Sequence, residues 1–287
     1  MGRLMAANLE RAGFRLRTYD LNGSGNCRSP REAAAGADVL ITMVPDGRAV
    51  RRAVLAALPG LRSGAIVIDM SSSSPFDTKY LYSILRKKKI ALLDAPVSGA
   101  KAKAKQGTLA IMVGGEPAAL RRARPLLSKM GSEIFHTGGS GSGHATKALN
   151  NYLGAAGTIA GFEALLVGER IGLDPKVLVE VINASTGKNS TTERKIPQQV
   201  FTGAFASGFQ LSLMTKDVAI AREIARDAGV ETPYLRNTLK IWRDALRRLP
   251  AGADHTELFH YLKQLKLPSR GAASPPAGSP RRRRRPS

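Results

Sequence analysis

A lysine and an asparagine stand four residues apart in a stretch with helical periodicity. Lys147 and Asn151 belong to GSGHATKALNNYL, and this spacing places both side chains on one side of a helix. A lysine that is shielded from water and lies near other cations has a lowered pKa, so its amine could exchange a proton with a substrate hydroxyl. The asparagine amide could then hold that hydroxyl or a carboxylate. An ordinary solvated helix lysine is the alternative interpretation of Lys147.

A glycine and an aspartate near the start of the chain have the spacing of a dinucleotide site. In strand–loop–helix units that bind dinucleotides, the third glycine of G-x-G-x-x-G sits where helix and strand pack closely, and an acid about 20 residues further on binds the ribose. Gly2 matches that glycine, and Asp20 ends the run FRLRTYD. An aspartate favours NAD, whereas an arginine would suit the 2′-phosphate of NADP. One glycine and one aspartate also occur at this spacing by chance.

The elements that must position these residues alternate between strands and helices as far as about residue 136. Helix-start signals such as Ser29–Pro30, with Glu32 closing a capping box, and Ser74–Pro75 mark the helices. The alternation indicates an α/β fold with a mostly parallel sheet and helices on both faces. The predicted strands are FRLRTYD, DVLITMVP, GAIVIDMS, TLAIMVGG and EIFHTG, and IALLDAPVSG is predicted to be a strand followed by a loop.

The pattern changes at the glycine-rich segment 137–143. HATKALNNYLGAAGTIAGFEALLVGERIG has the pattern of one long helix, Asp174–Pro175 starts another, and no further strand is predicted. We therefore predict a Rossmann-like NAD-binding domain at 1–140 and an all-helical substrate and oligomerisation domain at 141–267. The composition of 268–287, rich in Pro, Gly, Ser and Arg, predicts a disordered basic tail.

The formal net charge of the chain is +22, of which six arginines of the tail account for a minor part. A basic body could attract anions such as a dinucleotide and a carboxylate substrate. It could also bind nucleic acid through a basic surface. Solvated Lys and Arg side chains on helix faces are the third explanation.

Cysteine content and hydropathy bear on the compartment. One cysteine, Cys27, allows no internal disulfide, which favours a reducing compartment. The apolar run YLGAAGTIAGF is shorter than the ~20 residues that span a bilayer. We expect a cytoplasmic protein without a leader or a membrane segment. His255 and His260 lack zinc-ligand spacing, so no metal site is predicted, and His144 is interpreted as a polar residue at a helix N-terminus.

Five motifs occur in order along the chain. They are MVPD, DMSSSSP, DAPVSGAKAKAKQGTLAIMVGG, GSGHATKALNNYL and LMTKDVAIA. Together they resemble the β-hydroxyacid dehydrogenase family, which includes 3-hydroxyisobutyrate dehydrogenase and tartronate semialdehyde reductase, over about residues 1–267. The resemblance implies NAD(P)-dependent oxidation of a small 3-hydroxy acid, or reduction of the corresponding semialdehyde. It also implies a homodimer or homotetramer.

The resemblance assigns roles to residues on the substrate side. It makes Lys147 the general acid/base and places Asn151 against the substrate. Ser98 and Gly99 in DAPVSGA would present a hydroxyl and backbone N–H groups to the substrate carboxylate. Ala100 stands where the family usually has a second glycine, a departure that could narrow the loop or shift substrate choice. A plain strand-to-helix turn is the alternative interpretation of this loop.

The resemblance also assigns roles on the cofactor side. Val44 and Pro45 follow a strand at its carboxyl end, where open α/β sheets bind ligands, and in the family this loop packs on the cofactor. Ser72 falls where the family commonly has Thr or Ser near the nicotinamide. Lys216 matches a lysine that reaches the cofactor from the helical domain, although it could equally pair with Asp217.

Met1 and Gly2 resemble the last two positions of the family loop G-x-G-x-M-G. We therefore expect a first strand and two glycines upstream of Met1, because those glycines bring backbone N–H groups to the pyrophosphate. A chain without them should fold less well and bind NAD more weakly.

A second function class remains open at this point. A catalytically impaired relative could bind nucleic acid or act as a scaffold through its basic surface and arginine tail. The presence of Lys147 and Asn151 argues against it, and we expect at most weak nucleic-acid binding through the tail.

Overall fold

A computed structural model describes residues 1–265. The predicted basic tail, 268–287, and residues 266–267 of the predicted helical domain lie outside the described residues. In the first half the elements are α1 (Gly2–Arg11), α2 (Pro30–Ala34), β1 (Val39–Thr42), α3 (Gly47–Ala57), β2 (Ile66–Asp69), α4 (Pro75–Lys87), β3 (Ala91–Asp94), β4 (Val97–Ser98), α5 (Ala100–Gln106), β5 (Leu109–Gly115), α6 (Pro117–Leu127) and β6 (Gly131–Gly138). Short 3₁₀ turns occur at Leu58–Gly60 and, in the second half, at His255–Glu257.

The regular elements in the second half of the described chain are helices, apart from an isolated β-bridge between Gln210 and Asp254. They are α7 (Ser142–Arg170), α8 (Pro175–Asn183), a π-helix (Thr191–Val200), α9 (Leu211–Asp227), α10 (Pro233–Arg248) and α11 (Leu258–Lys263). The long helix α7 has 29 residues and is about 43 Å long. Helix-start signals act as the sequence predicts, since Asp174 accepts hydrogen bonds from the backbone N–H groups of Lys176 and Val177.

The sheet contains parallel and antiparallel pairs. Strands β1, β2 and β3 are parallel neighbours, and β5 is parallel to β6. Strands β3 and β4 follow one another along the same edge of β5 and are antiparallel to it. The prediction of a mostly parallel sheet therefore holds for β1–β3 and for β5–β6. Strands β3 and β4, by contrast, are antiparallel to β5.

The predicted strand FRLRTYD is wrong. Residues 14–20 form no strand, because the backbone of Thr18 bonds within a local loop. Its N–H donates to Asn26 Oδ1 at 2.7 Å, and its carbonyl accepts from the N–H of Cys27 at 2.9 Å. Among the described residues β1 pairs with β2 alone, so this alternating segment does not pair with the free edge of β1. Asp20 consequently ends an irregular loop.

The capping box predicted at Ser29 forms only in part. The Ser29 hydroxyl accepts a hydrogen bond from the N–H of Glu32. The Glu32 carboxylate, however, accepts from the N–H of Arg28 at 2.9 Å, one residue before the N-cap. Ser29 and Glu32 therefore both stabilise the start of α2, but Glu32 bonds to the backbone of Arg28 and not to that of Ser29.

Buried apolar side chains form separate clusters in the two halves. Two clusters lie on the sheet, and their members end at Ile134. The third begins at Ala148 and contains Phe162 and Trp242, both fully buried among the helices. Each half therefore has its own hydrophobic core. Within residues 1–265 no helix is long and apolar enough to cross a membrane.

Candidate active site

A buried cluster of polar side chains joins α7 to α9. Lys147 and Asn151 lie one turn apart on α7, and both are at least nine-tenths buried. The amide of Asn151 donates to Asp217 Oδ2 at 2.6 Å, and the ammonium of Lys216 donates to Asp217 Oδ1 at 2.8 Å. The two oxygens of one buried carboxylate therefore hold an amide and a cation next to Lys147.

The surroundings of Lys147 favour its uncharged form. Burial lowers the pKa of this amine most, and the positive charge of Lys216 lowers it further. The carboxylate of Asp217 acts in the opposite direction. The net direction is downward, so more neutral amine is present near neutral pH than for a solvated lysine. A neutral amine can accept a proton from a hydroxyl group.

Lys216 also connects the helical half to the sheet. Its ammonium donates to the backbone carbonyl of Ser72, which follows β2 in the chain. The sequence left two interpretations of this lysine open, a pair with Asp217 or a contact near the cofactor side. The structure contains the ion pair and, at the same time, the contact with Ser72.

Asp94 fixes the first turn of α7. It ends β3, and its carboxylate accepts the backbone N–H groups of Gly141 and His144 at 2.8 and 2.9 Å. Burial raises the pKa of Asp94, while His144 and these N–H groups oppose the rise. A Cβ on Gly143 would lie 2.4 Å from the carbonyl oxygen of Met112, so only glycine permits this close approach of helix to sheet.

His144 ties α7 to the loop after β2. Its Nδ1 lies 2.7 Å from the hydroxyl of Thr78, and its Nε2 lies 3.1 Å from the carbonyl of Ser71. The carboxylates of Asp69 and Asp94 stand 3.5 and 3.9 Å from its ring nitrogens. The sequence places His144 correctly at the helix N-terminus but does not predict these contacts. The signal that could have indicated them is its position one turn before Lys147.

The loop that contains Ser98, Gly99 and Ala100 has unusual backbone angles. Ser98 ends the short strand β4 and is half-buried. Gly99 has φ +135°, and Ala100 has φ +57°, which is left-handed. A non-glycine residue in that conformation costs about 1–2 kcal/mol. Glycine would adopt this backbone conformation without that cost.

This loop lies next to the start of the chain. Helix α5, which follows the loop, contacts α1 through a 2.7 Å hydrogen bond from the amide of Asn8 to the carbonyl of Ala104. Burial lowers the pKa of the Met1 amino group most, and the nearby charge of Lys101 lowers it further. The structure therefore brings the start of the chain close to α5, which directly follows Ser98 and Gly99.

The cofactor-side residues form two groups. The N–H of Val44, beside Pro45, donates to the Ser71 hydroxyl at 3.0 Å, which joins the loop after β1 to the loop after β2. Gly2 faces Met43, and a Cβ there would lie at an ordinary 3.6 Å, so crowding does not require glycine. Asp20 belongs to the other group and lines a cavity of about 460 Å³.

The residues present fit a dinucleotide. Helix α1 begins at Gly2 with no side-chain hydrogen bond on its first N–H groups, which leaves donors for a pyrophosphate. The Asp20 carboxylate lines an open cavity and can accept the hydroxyls of a ribose. Arg28 lines the same cavity, so both signs of charge face it.

Two family models cover nearly the whole described chain. The one described as the NAD-binding domain of 6-phosphogluconate dehydrogenase matches residues 1–138, and the one described as NAD-binding of NADP-dependent 3-hydroxyisobutyrate dehydrogenase matches residues 141–262. Together with the Rossmann-like half and the helical half, they define an NAD-dependent oxidoreductase. The chain belongs to the β-hydroxyacid dehydrogenase family, as its motifs predict.

Individual relatives agree with this class. The chain is 37% identical to the NAD-dependent L-serine dehydrogenase of Pseudomonas aeruginosa, over 94% of this chain and 96% of that protein. It is 33% identical to the 3-sulfolactaldehyde reductase of Escherichia coli, over 93% of each. The solved structure of 3-hydroxyisobutyrate dehydrogenase from Mycobacterium tuberculosis with L-serine superposes with a TM-score of 0.85 at 34% identity, over 92% of this chain and 96% of that one.

These comparisons confirm the predicted class of enzyme and its cofactor. The chain is an NAD-dependent hydroxyacid dehydrogenase. The relatives are named as dehydrogenases and a reductase, and none of these names supports the alternative of an inactive nucleic-acid-binding relative.

Proposed function

We propose that this enzyme oxidises a small 3-hydroxy acid similar to 3-hydroxyisobutyrate, or reduces the corresponding semialdehyde, with Lys147 as general acid/base. The burial of Lys147 beside Asn151 and the Lys216–Asp217 pair carries the proposal. Two of the named relatives are a dehydrogenase of L-serine and one of 3-hydroxyisobutyrate, and both of these compounds have a hydroxyl on the carbon β to a carboxylate. The third is a reductase of 3-sulfolactaldehyde, an aldehyde with a sulfonate in place of the carboxylate.

Lys147 and Asn151 have different roles at the substrate hydroxyl, proton transfer and orientation. During oxidation the neutral amine of Lys147 accepts the hydroxyl proton, and during reduction its ammonium returns that proton. Asn151 uses one amide hydrogen on Asp217, and its Oδ1 accepts from Asn150 at 3.2 Å, so its second amide hydrogen is available to orient the substrate oxygen. When bound, NAD supplies the acceptor for the hydride.

The turn from β4 into α5 is proposed to bind the substrate carboxylate. The Ser98 hydroxyl and the backbone N–H of Gly99 are suitable donors for an anion. The methyl group of Ala100 adds bulk where the family usually has none, which favours a compact acid. The proximity of α5 to α1 supports a substrate held close to the cofactor.

The cofactor is proposed to lie across the carboxyl ends of β1 and β2. Gly2 would offer its N–H to the pyrophosphate, and Asp20 would bind the adenosine ribose. Val44 and Pro45 would pack on the cofactor. Ser72, held by Lys216, would lie near the nicotinamide, and this bond between the halves of the chain supports that placement.

We further propose a homodimer or homotetramer with domains at 1–140 and 141–267. The separate cores of the two halves support the boundary. Large apolar side chains that are exposed in the single chain support the assembly, because a second copy of the helical half would cover them. On α7 and α8 they are Leu149, Leu153, Val167, Val177 and Val181.

A panel of hydroxy acids tests this proposal. Purified enzyme is assayed with 3-hydroxyisobutyrate, L-serine and other 3-hydroxy acids, each with NAD and with NADP, while formation of NADH or NADPH is followed. The matched controls are 2-hydroxy acids of the same size. We expect turnover of at least one 3-hydroxy acid and a preference for NAD, because Asp20 disfavours a 2′-phosphate. Preferential turnover of 2-hydroxy acids would contradict the assigned substrate class.

A further inference from the structure

A groove rich in basic side chains runs between α9 and α10. It has a volume of about 650 Å³ and is open to solvent on one side. Six of the side chains that line it are cations and two are acids, Glu223 and Asp244. None of the groups in the Lys147 cluster lines it. We name it the basic groove, and its cations are Arg222, Arg226, Arg236, Lys240, Arg243 and Arg247.

Most cations of the basic groove have no carboxylate partner within residues 1–265. Arg236 lies 3.7 Å from Glu231, and Arg247 contacts Asp244. No carboxylate oxygen of the described chain lies within salt-bridge distance of the other four. The basic groove therefore presents an excess of positive charge in a concave surface, which concentrates the field.

Like charges also stand one helical turn apart on both walls. Arg222 and Arg226 are four residues apart on α9, and Lys240 and Arg243 are three residues apart on α10. Such pairs repel one another on a helix. Lys240 and Arg243 are both exposed, and neither side chain belongs to the apolar core. A bound anion would relieve this repulsion.

The arrangement of the cations along the basic groove indicates the chemistry of the ligand. The cations of α10 extend from Arg236 to Arg247, which is about 16 Å along the helix. Arginine forks match phosphate oxygens bidentately. No aromatic ring lines the basic groove, so no lining residue could stack a base. We propose that the basic groove binds a linear chain of phosphates, as found in inorganic polyphosphate or in the backbone of a single-stranded nucleic acid.

Calorimetric titration of the full chain tests this site. The groove variant is Lys240→Ser with Arg243→Ser. The control variant is Arg121→Ser with Arg124→Ser, two exposed cations of α6 with the same spacing and the same loss of charge. The probes are sodium tripolyphosphate and a short oligothymidylate, each at low and moderate NaCl. The arginine tail is present in every protein and gives a constant background.

We expect the groove variant to bind at least one probe about tenfold more weakly, and the control variant less than about twofold. Two lost contacts should also reduce the salt slope for the oligonucleotide by about 1.4. A loss confined to one probe identifies the source of the phosphate chain. Equal losses in both variants would show a response to net charge alone and would overturn the proposal, as would equally tight binding of poly-glutamate. Unchanged NAD-linked activity verifies that both variants fold.

Discussion

Asp217 organises the groups around Lys147 at the scale of single residues. It is almost fully buried, and each of its oxygens holds a different partner, Asn151 or Lys216. Its charge also raises the pKa of Lys147 against the effect of burial. Asp217 thus sets both the orientation of the amide and the proton affinity of the amine. The sequence indicates the lysine of LMTKD more clearly than the aspartate, because the partner Asn151 lies 66 residues away.

Asp217→Asn should change the pH dependence of oxidation in a defined direction. The neutral amine of Lys147 is the base, so kcat/KM rises with pH through the pKa of this group. Removal of the Asp217 charge removes the effect that raises this pKa, and the acid limb should move to lower pH. We also expect kcat to fall about tenfold, because Asn151 loses a charged partner. A pH profile of kcat/KM measures the shift; a limb displaced to higher pH would contradict this role.

Helix α7 shows how one element positions the site. Its first turn is anchored to the sheet by Asp94 and His144, and Lys147 follows one turn later. Gly143 allows the backbone of α7 to approach the backbones of β3 and β5. The position of Lys147 therefore depends on contacts that precede it in the same helix.

Two glycines of α7 offer a matched test of this anchoring. Gly143→Ala would place a Cβ 2.4 Å from the Met112 carbonyl and should destabilise the protein by about 1–3 kcal/mol. Gly154→Ala meets no atom within 4 Å and should stabilise it by about 0.5–1 kcal/mol, because alanine is the better helix former. Denaturant unfolding measures both changes. Similar destabilisation by the two substitutions would show that the close approach at Gly143 is unimportant.

Local patterns predict elements of this chain better than contacts between them. The caps at Ser74 and Asp174 and the full length of α7 follow from nearby residues. FRLRTYD alternates as a strand does, yet its residue Thr18 bonds to Asn26 and Cys27 in a local loop, and the segment pairs with no strand of the described chain. The bonds of Asp94 and His144 join residues that are far apart in sequence, so no periodicity indicates them.

At the scale of the whole molecule, two halves with separate cores meet at the site. The α/β half carries the residues proposed to bind NAD, and the helical half carries Lys147 and Asn151. Contacts of Lys216 with Ser72 and of His144 with Ser71 hold the halves together. The net charge of +22 is partly concentrated in the basic groove, whereas the candidate active site contains paired groups. Because Lys147 and the residues proposed to bind NAD lie in different halves, replacement of Lys147 should reduce turnover and leave NAD binding unchanged.

Steady-state oxidation by Lys147→Met, with NAD binding measured by fluorescence on the same preparation, tests the central claim most directly. Methionine keeps the length of the side chain and removes the proton acceptor. The matched control is Lys176→Met, an exposed lysine on α8. We expect kcat to fall about 10²–10⁴-fold in the first variant, with an NAD Kd within about twofold of the parent, and both values to stay unchanged in the control. A Lys147→Met enzyme that keeps its kcat would contradict the account.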